Sequence, residues 1–455
     1  MNPLAQQLAG WTCGLQAAQL PLNVRETAVR AFIDTIGVLL AGTTDDIATV
    51  IQAWVAERPR DNGAVVPPYG LATDPETAAL ALGVLAHALD FDDIHPSMLG
   101  HPSGVLIPVI LSLGAIAHVD GHHAIAAYVA GAETAAHLGR ASATLQYNRG
   151  WHTTSTIGAV AAAATAARLL DLDAATTAHA LGMAASAAAG LRANFGSHAK
   201  PLHAGQAASH GVSAALWARA GLQAAPDALD GPRGYLESFA GDRGAGAKAA
   251  ADLGTRWELI DPGLQVKLYA CCGGAQRSID ALTDMVRDER LTPDMVKDVL
   301  ALVDPIVPTL LVHPEPHTVA EARFSLQYCL AAIVADGRLS LKHFTRPSLE
   351  RSDLRELGRR IRMEVHPGLV SHKGGLAFAE VQVLTRDGAR FSRRVDHPKG
   401  SGQCPLTSAE LEQKFFDCAR MYNPTHDWAS ALQAILHLRA GGSVTELVKA
   451  LTVAE

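Results

Sequence analysis

Aromatic residues make up only 5% of this 455-residue chain, and charged residues only 18%. The low charge and a hydrophobic share of 48% exclude a disordered chain, which is rich in charge and poor in apolar residues. Basic residues are too few for a nucleic-acid footprint, because the net charge is −7. The six cysteines form no C-x-x-C pair, and adjacent Cys271 and Cys272 do not have zinc-ligand spacing. A reduced, intracellular chain is the simple expectation. Residues 1–10 lack a basic stretch followed by a long apolar run, so neither a signal peptide nor a membrane span is expected, and the location expected is cytoplasmic. H-E-x-x-H, G-x-x-x-x-G-K-[ST] and a strand-borne G-x-S-x-G are all missing. Gly244-Ala245-Gly246 has no strand before it, which argues against a dinucleotide site.

What the chain has in abundance is small side chains, suited to closely packed helices. Helices are expected at 24–41, 74–90, 102–117, 122–141, 155–170, 174–191 and 201–220. Near Gly263 the texture changes. Strands are expected at 295–303, 362–365, 377–385 and 390–395, with an Asp387-Gly388 turn between the last two, and helices at 318–336 and 348–361. Helical texture returns at 408–421, 428–438 and 444–451. The fold class expected is mainly α: a large all-helical domain, 1–265 plus 401–455, interrupted by a smaller α+β lid domain, 266–400. A chain of this length favours two domains, and the cleft between them is the default place for a site. Glycines near 263 and 400–402 would let the lid move.

The densest polar cluster is Asp90-Phe91-Asp92-Asp93-Ile94-His95, followed by His101-Pro102-Ser103-Gly104. Capping and solvation would explain such residues without any chemistry. A second feature adds weight. His101, His152 and Lys200 each stand at a predicted helix start, and His203 lies in the first turn after Pro201. Helix starts favour anions, and a cation there costs about 0.3–1 kcal/mol unless an anion is present. Three such positions point to an anionic ligand, and to Lys200→Ala weakening binding more than folding. A third segment, Val266 to Gly274, reads either as a buried strand or as a cleft lining that offers Lys267, Tyr269 or Cys272 to a ligand.

These segments resemble the MmgE/PrpD family, which includes 2-methylcitrate dehydratase, cis-aconitate decarboxylase and iminodisuccinate epimerase. The matching stretches include Phe32-Ile33-Asp34-Thr35-Ile36-Gly37, His87-Ala88-Leu89-Asp90-Phe91-Asp92-Asp93, His101-Pro102-Ser103 and Gly150-Trp151-His152-Thr153-Thr154. Lys200-Pro201-Leu202-His203-Ala204-Gly205, Tyr269-Ala270-Cys271-Cys272, Ala320-Glu321-Ala322-Arg323-Phe324-Ser325 and Leu411-Glu412-Gln413-Lys414-Phe415 follow in the family's order. The resemblance implies a helical domain with an α+β lid, a homodimer, no metal or organic cofactor, and a small di- or tricarboxylate substrate. It implies Asp90, His101, His152 and Lys200 as catalytic residues. Asp93, His95, Tyr147, Arg149, His203, Lys267, Tyr269 and Cys272 are the further candidates for binding substrate. Two departures speak against cis-aconitate decarboxylation: Ile94 stands where Thr is common, and Cys272 where the decarboxylase subgroup has a catalytic His.

The expected chemistry is abstraction of a proton beside a carboxylate, with His101 or His152 as base. A 2-methylcitrate dehydratase-like lyase comes first and an iminodisuccinate epimerase-like isomerase second. A rival of another class is a Mg²⁺-dependent all-helical isoprenoid synthase using Asp90, Asp92 and Asp93, but it needs a second acidic motif that the sequence lacks. The third reading is a non-catalytic binding protein.

Overall fold

The computed structural model describes residues 2–369 and 376–453. In chain order its helices and strands begin with α1 (Leu4–Gly14), α2 (Leu22–Gly42), α3 (Asp46–Ala56), β1 (Ala64–Val66) and β2 (Leu71–Thr73). Then come α4 (Pro75–His87), α5 (Ser103–Val109), α6 (Gly121–Asn148), α7 (Thr153–Leu169), α8 (Ala174–Ala187), α9 (Ala199–Arg219) and α10 (Ala245–Ala250). The next stretch holds α11 (Gln276–Asp288), β3 (Val296–Val303), α12 (Val319–Ala322), α13 (Leu326–Asp336), α14 (Arg346–Leu349), α15 (Ser352–Gly358), β4 (Ile361–Val365), β5 (Ala379–Thr385) and β6 (Arg390–Val395). The chain closes with α16 (Ser408–Tyr422), α17 (Trp428–His437) and α18 (Val444–Leu451). The protein is mainly α with a minor β part. Among the described residues no single helix is long and apolar enough to cross a membrane.

The chain divides into two units, Met1–Gln265 with Thr407–Glu455, and Val266–Leu406. In the first, α4 and α7 are almost wholly buried, most of α6 and α9 is buried, and Ala is the commonest residue in all four. Small side chains let these helices approach closely. Gly83 on α4 meets Gly205 on α9, where an added Cβ would lie 2.8 Å from the Gly205 Cα. That crossing brings the last turn of α4 beside the first turn of α9. Helix starts follow local chemistry: Asp74 accepts the Thr77 N–H at 2.8 Å ahead of Pro75, and Asp120 and Asp173 cap α6 and α8 in the same way.

In the second unit the sheet order is β4-β3-β5-β6. β3 runs parallel to β4 and antiparallel to β5, and β5 and β6 form a hairpin. At its turn Gly388 has φ 93°, a conformation open to glycine. The continuous helix expected over 318–336 is broken into α12 and α13. Ser325 accepts the Tyr328 N–H at 3.2 Å and starts a new helix, because a serine cap competes with continuation. The helix expected over 348–361 is likewise divided, into α14 and α15. No strand forms over 266–274; the segment is irregular, and Val266 N–H bonds to Gly400 O at 2.9 Å.

Candidate active site

Four elements of the first unit deliver the site. His87 ends α4, Asp90 and Asp92 lie in the following loop, His101 precedes α5, and Lys200 sits in the first turn of α9. The loop leaves the helix through Asp90, whose φ of 50° is left-handed and unusual for a residue with a side chain.

Lys200 Nζ donates to Asp90 Oδ1 at 2.9 Å and to His87 Nε2 at 2.9 Å. His87 Nε2 must therefore carry a lone pair, and the ring proton sits on Nδ1, where it faces Asp92 Oδ2 at 2.9 Å. Burial lowers the His87 pKa to about 4, against the pull of Asp92, so the ring is neutral at neutral pH. Asp92 also faces His101 Nδ1 at 3.2 Å. Burial alone would raise the Asp92 pKa, but His101 and His87 outweigh it and hold the carboxyl well below its usual range. His101 Nε2 lies 3.6 Å from Asp90 Oδ1, and its side chain is 12% exposed where that of His87 is wholly buried. The outcome is an Asp–His dyad whose imidazole is the more accessible ring, next to a Lys–Asp pair.

His152, the residue before α7, contacts His203 through their Nδ1 atoms at 3.2 Å. Its ring is stacked on His87 at 5.7 Å and meets the edge of Phe195 at 4.9 Å. Burial first, and Lys200 second, push the pKa values of His152 and His203 down.

The structure revises the argument from the helix starts. The positive charge of Lys200 already faces Asp90, His101 already faces Asp92, and His152 is held neutral. The small penalty of a cation at a helix start is thus offset by the protein's own carboxylates and calls for no external anion. Lys200→Ala would also leave Asp90 buried beside a vacated partner, which typically costs about 3–5 kcal/mol in stability. Binding and folding would then suffer together.

His87, Asp90, Asp92 and His101 offer ligand atoms within 4.8 Å of one another, a set that could hold a divalent cation. A metal would have to displace the Lys200 ammonium, which contacts two of the four donors.

Family models of the MmgE/PrpD N-terminal and C-terminal domains match residues 6–247 and 269–439. The chain belongs to the MmgE/PrpD family. It is an enzyme of the MmgE/PrpD type. Human cis-aconitate decarboxylase is 28% identical over 429 residues, which cover 91% of this chain and 87% of that protein. The mouse cis-aconitate decarboxylase is 27% identical over 433 residues, with 91% and 86% covered. The Aspergillus terreus protein of the same name is 24% identical over 436 residues, with 90% and 88% covered.

The other residues singled out from the MmgE/PrpD resemblance have different surroundings. Asp93 turns to Ser103, whose Oγ is in very short contact with Asp93 Oδ2 and lies 2.7 Å from the Tyr128 hydroxyl. His95 is spent on the backbone: its Nε2 lies 2.9 Å from Glu258 O, and its Nδ1 accepts the Ser97 N–H at 3.2 Å. Tyr147 lies under the Arg192 guanidinium, 3.8 Å from the ring centroid. Arg149 is exposed and packs over Gly241, where a Cβ would come within 2.1 Å of it. Lys267, Tyr269 and Cys272 belong to the second unit. Lys267 is completely buried, Tyr269 donates to Asp280 Oδ1 at 2.9 Å, and the Cys272 N–H bonds to Arg323 O at 2.9 Å. Sequence reasoning did not name His87 as a functional residue and named Asp92 only as a metal ligand in the rival reading, although both stood in the quoted family stretch. Nor did it name Arg192, which is half-buried between Tyr147 and Phe195.

Proposed function

We propose that this chain is a lyase that removes a proton from the carbon beside a carboxylate of a small di- or tricarboxylate, using no metal or organic cofactor, in the manner of a 2-methylcitrate dehydratase. The observation that carries this reading is the Asp92–His101 dyad beside the Lys200–Asp90 pair. Asp92 fixes the His101 tautomer and leaves Nε2 as the base, as carboxylate–imidazole pairs do elsewhere. Lys200 and the N–H groups nearby meet the charge that develops on the substrate carboxylate. In dehydration the C–H electrons form the double bond, the neighbouring C–O bond breaks, and the hydroxyl leaves as water with a proton from the Lys200 ammonium. Arg192, with its planar fork beside Phe195, suits a second substrate carboxylate.

The relatives favour a second reading, decarboxylation of cis-aconitate. There a C–C bond breaks to release CO₂, and the electron pair left on carbon takes a proton from protonated His101. Both readings need a stabilised carbanion or enolate and an imidazole that exchanges a proton with the substrate carbon: it takes the proton in dehydration and gives one in decarboxylation.

A panel of 2-methylcitrate, citrate, cis-aconitate and iminodisuccinate in D₂O, followed by NMR, separates the possibilities. An alkene and water mark dehydration, CO₂ marks decarboxylation, and deuterium at the α-carbon without net loss marks epimerisation. No turnover and no exchange with any of the four would overturn the proposal and favour a binding protein.

A further inference from the structure

The loop that carries Asp90 and Asp92 is gripped by a residue far along the chain. Lys414, on α16, places its Nζ 2.6 Å from Asp34 Oδ1 on α2 and donates to the Phe91 carbonyl at 3.1 Å. The same ammonium lies 3.8 Å from the centroid of the Phe91 ring. The Lys414 and Asp34 side chains are 6% and 0% exposed. Phe91 sits between the two site carboxylates, and its carbonyl belongs to the peptide unit that enters Asp92. One residue earlier, Asp90 holds its left-handed φ of 50°. A conformation of that kind persists only where the surroundings over-determine it.

Burying an ion pair is a poor way to gain stability, since apolar residues of similar volume are often as good or better. The Asp34–Lys414 pair does something an apolar pair cannot: it presents a hydrogen-bond donor to one particular backbone carbonyl. We propose that Lys414, held in place by Asp34, is a positioning residue for the active site. It fixes the Phe91–Asp92 peptide unit and so sets Asp92 against His87 and His101, and Asp90 against Lys200. It acts through these residues and touches none of the reacting atoms. The kinetic side of the test rests on the reaction proposed above; the spectroscopic side does not.

Three variants decide the matter: Lys414→Met, the pair Asp34→Leu with Lys414→Met, and Lys414→Arg. Lys414→Met alone strands the Asp34 carboxylate and is expected to lose stability. The double variant removes both charges of this pair and is expected to melt within a few degrees of the parent. If the pair only stabilises the fold, the double variant recovers parental kcat. The proposal expects kcat to stay down at least about ten-fold with KM changed by less than about two-fold, because misplacing a catalytic group by an ångström is expensive. In protein labelled with ¹⁵N-histidine, the His87 Nδ1 proton bonded to Asp92 is expected to shift or vanish in the double variant. Parental kcat together with an unchanged His87 resonance would overturn the proposal. If no substrate is turned over by the parent, the reaction reading fails while the resonance still decides positioning. If the double variant fails to fold, Lys414→Arg carries the same readouts. It keeps a cation beside Asp34 with a different donor geometry at Phe91 O.

Discussion

Asp92 and Asp93 follow one another in the chain and both are fully buried, yet they are driven in opposite directions. Asp92 meets two imidazoles and is held well below the carboxylate range. Asp93 accepts from the hydroxyl and the backbone N–H of Ser103, and its pKa rises to about 8. Burial is the main cause of that rise; the Ser103 hydrogen bonds pull against it, and the Asp34 and Asp92 charges add to it. Two imidazoles beside a buried carboxyl favour its charged form, whereas one hydroxyl and one backbone N–H do not offset the cost of burial. One residue of chain separates a charged partner for the proposed base from a neutral strut under α5.

The comparison can be broken most severely at Asp92. Asp92→Asn keeps the shape but no longer selects the tautomers of His87 and His101. We expect kcat to fall by about 10²–10⁴, the range general acid–base groups contribute, with the circular dichroism spectrum unchanged. A loss under three-fold would show that Asp92 does not orient the base. Gly104→Ala tests the same carboxylate from outside. An added Cβ would lie 2.3 Å from Asp92 Oδ2, so the carboxylate must shift. Although alanine is the better helix former by about 1 kcal/mol, activity should drop roughly ten-fold and the melting temperature should not rise.

Asp93→Asn sharpens the contrast from the other side, since asparagine mimics the protonated acid. A folded pKa raised to about 8, above the unfolded value, gives stability that is complete below about pH 4. That stability is lost as pH rises through about 8, because the unfolded chain then binds fewer protons than the native one. Urea titrations at pH 5 and pH 8 should show a smaller fall in stability for Asp93→Asn than for the parent. An identical fall in both proteins would mean that Asp93 is already ionised. The smallest effect expected is that of a chelator. With Lys200 seated among the metal-capable donors, EDTA should change the rate by less than about two-fold, and a large loss would revive a metal-dependent mechanism.

Much of this fold is legible in the sequence because caps and turns are local. Asp74-Pro75, Thr407 with Glu410, and Asp387-Gly388 mark their elements within a few residues. His101, His152 and Lys200 were visible for the same reason, as charged or titratable residues at helix starts. Which of Asp92 and Asp93 meets the histidines was not, because the loop turns through a left-handed Asp90 and no spacing rule predicts the outcome. Lys414 is separated from Phe91 by more than three hundred residues, so only the packing of α16 on α2 reveals it. The expected helix over 318–336 went wrong through apolar periodicity: the pattern continued across Ser325, and the cap won.

The Gly83–Gly205 contact also works as a spacer gauge. His87 lies four residues beyond one glycine and Lys200 five before the other, roughly 6 and 7.5 Å along their axes at 1.5 Å per residue. Over so short a lever, any wedge driven between the helices at the crossing reaches the Lys200–His87 bond almost undiminished. A methyl group at either glycine crowds the facing backbone and so amounts to a displacement of an ammonium from an imidazole, made without changing a site side chain. Anyone seeking to retune this enzyme has a mechanical adjustment there, separate from its chemistry.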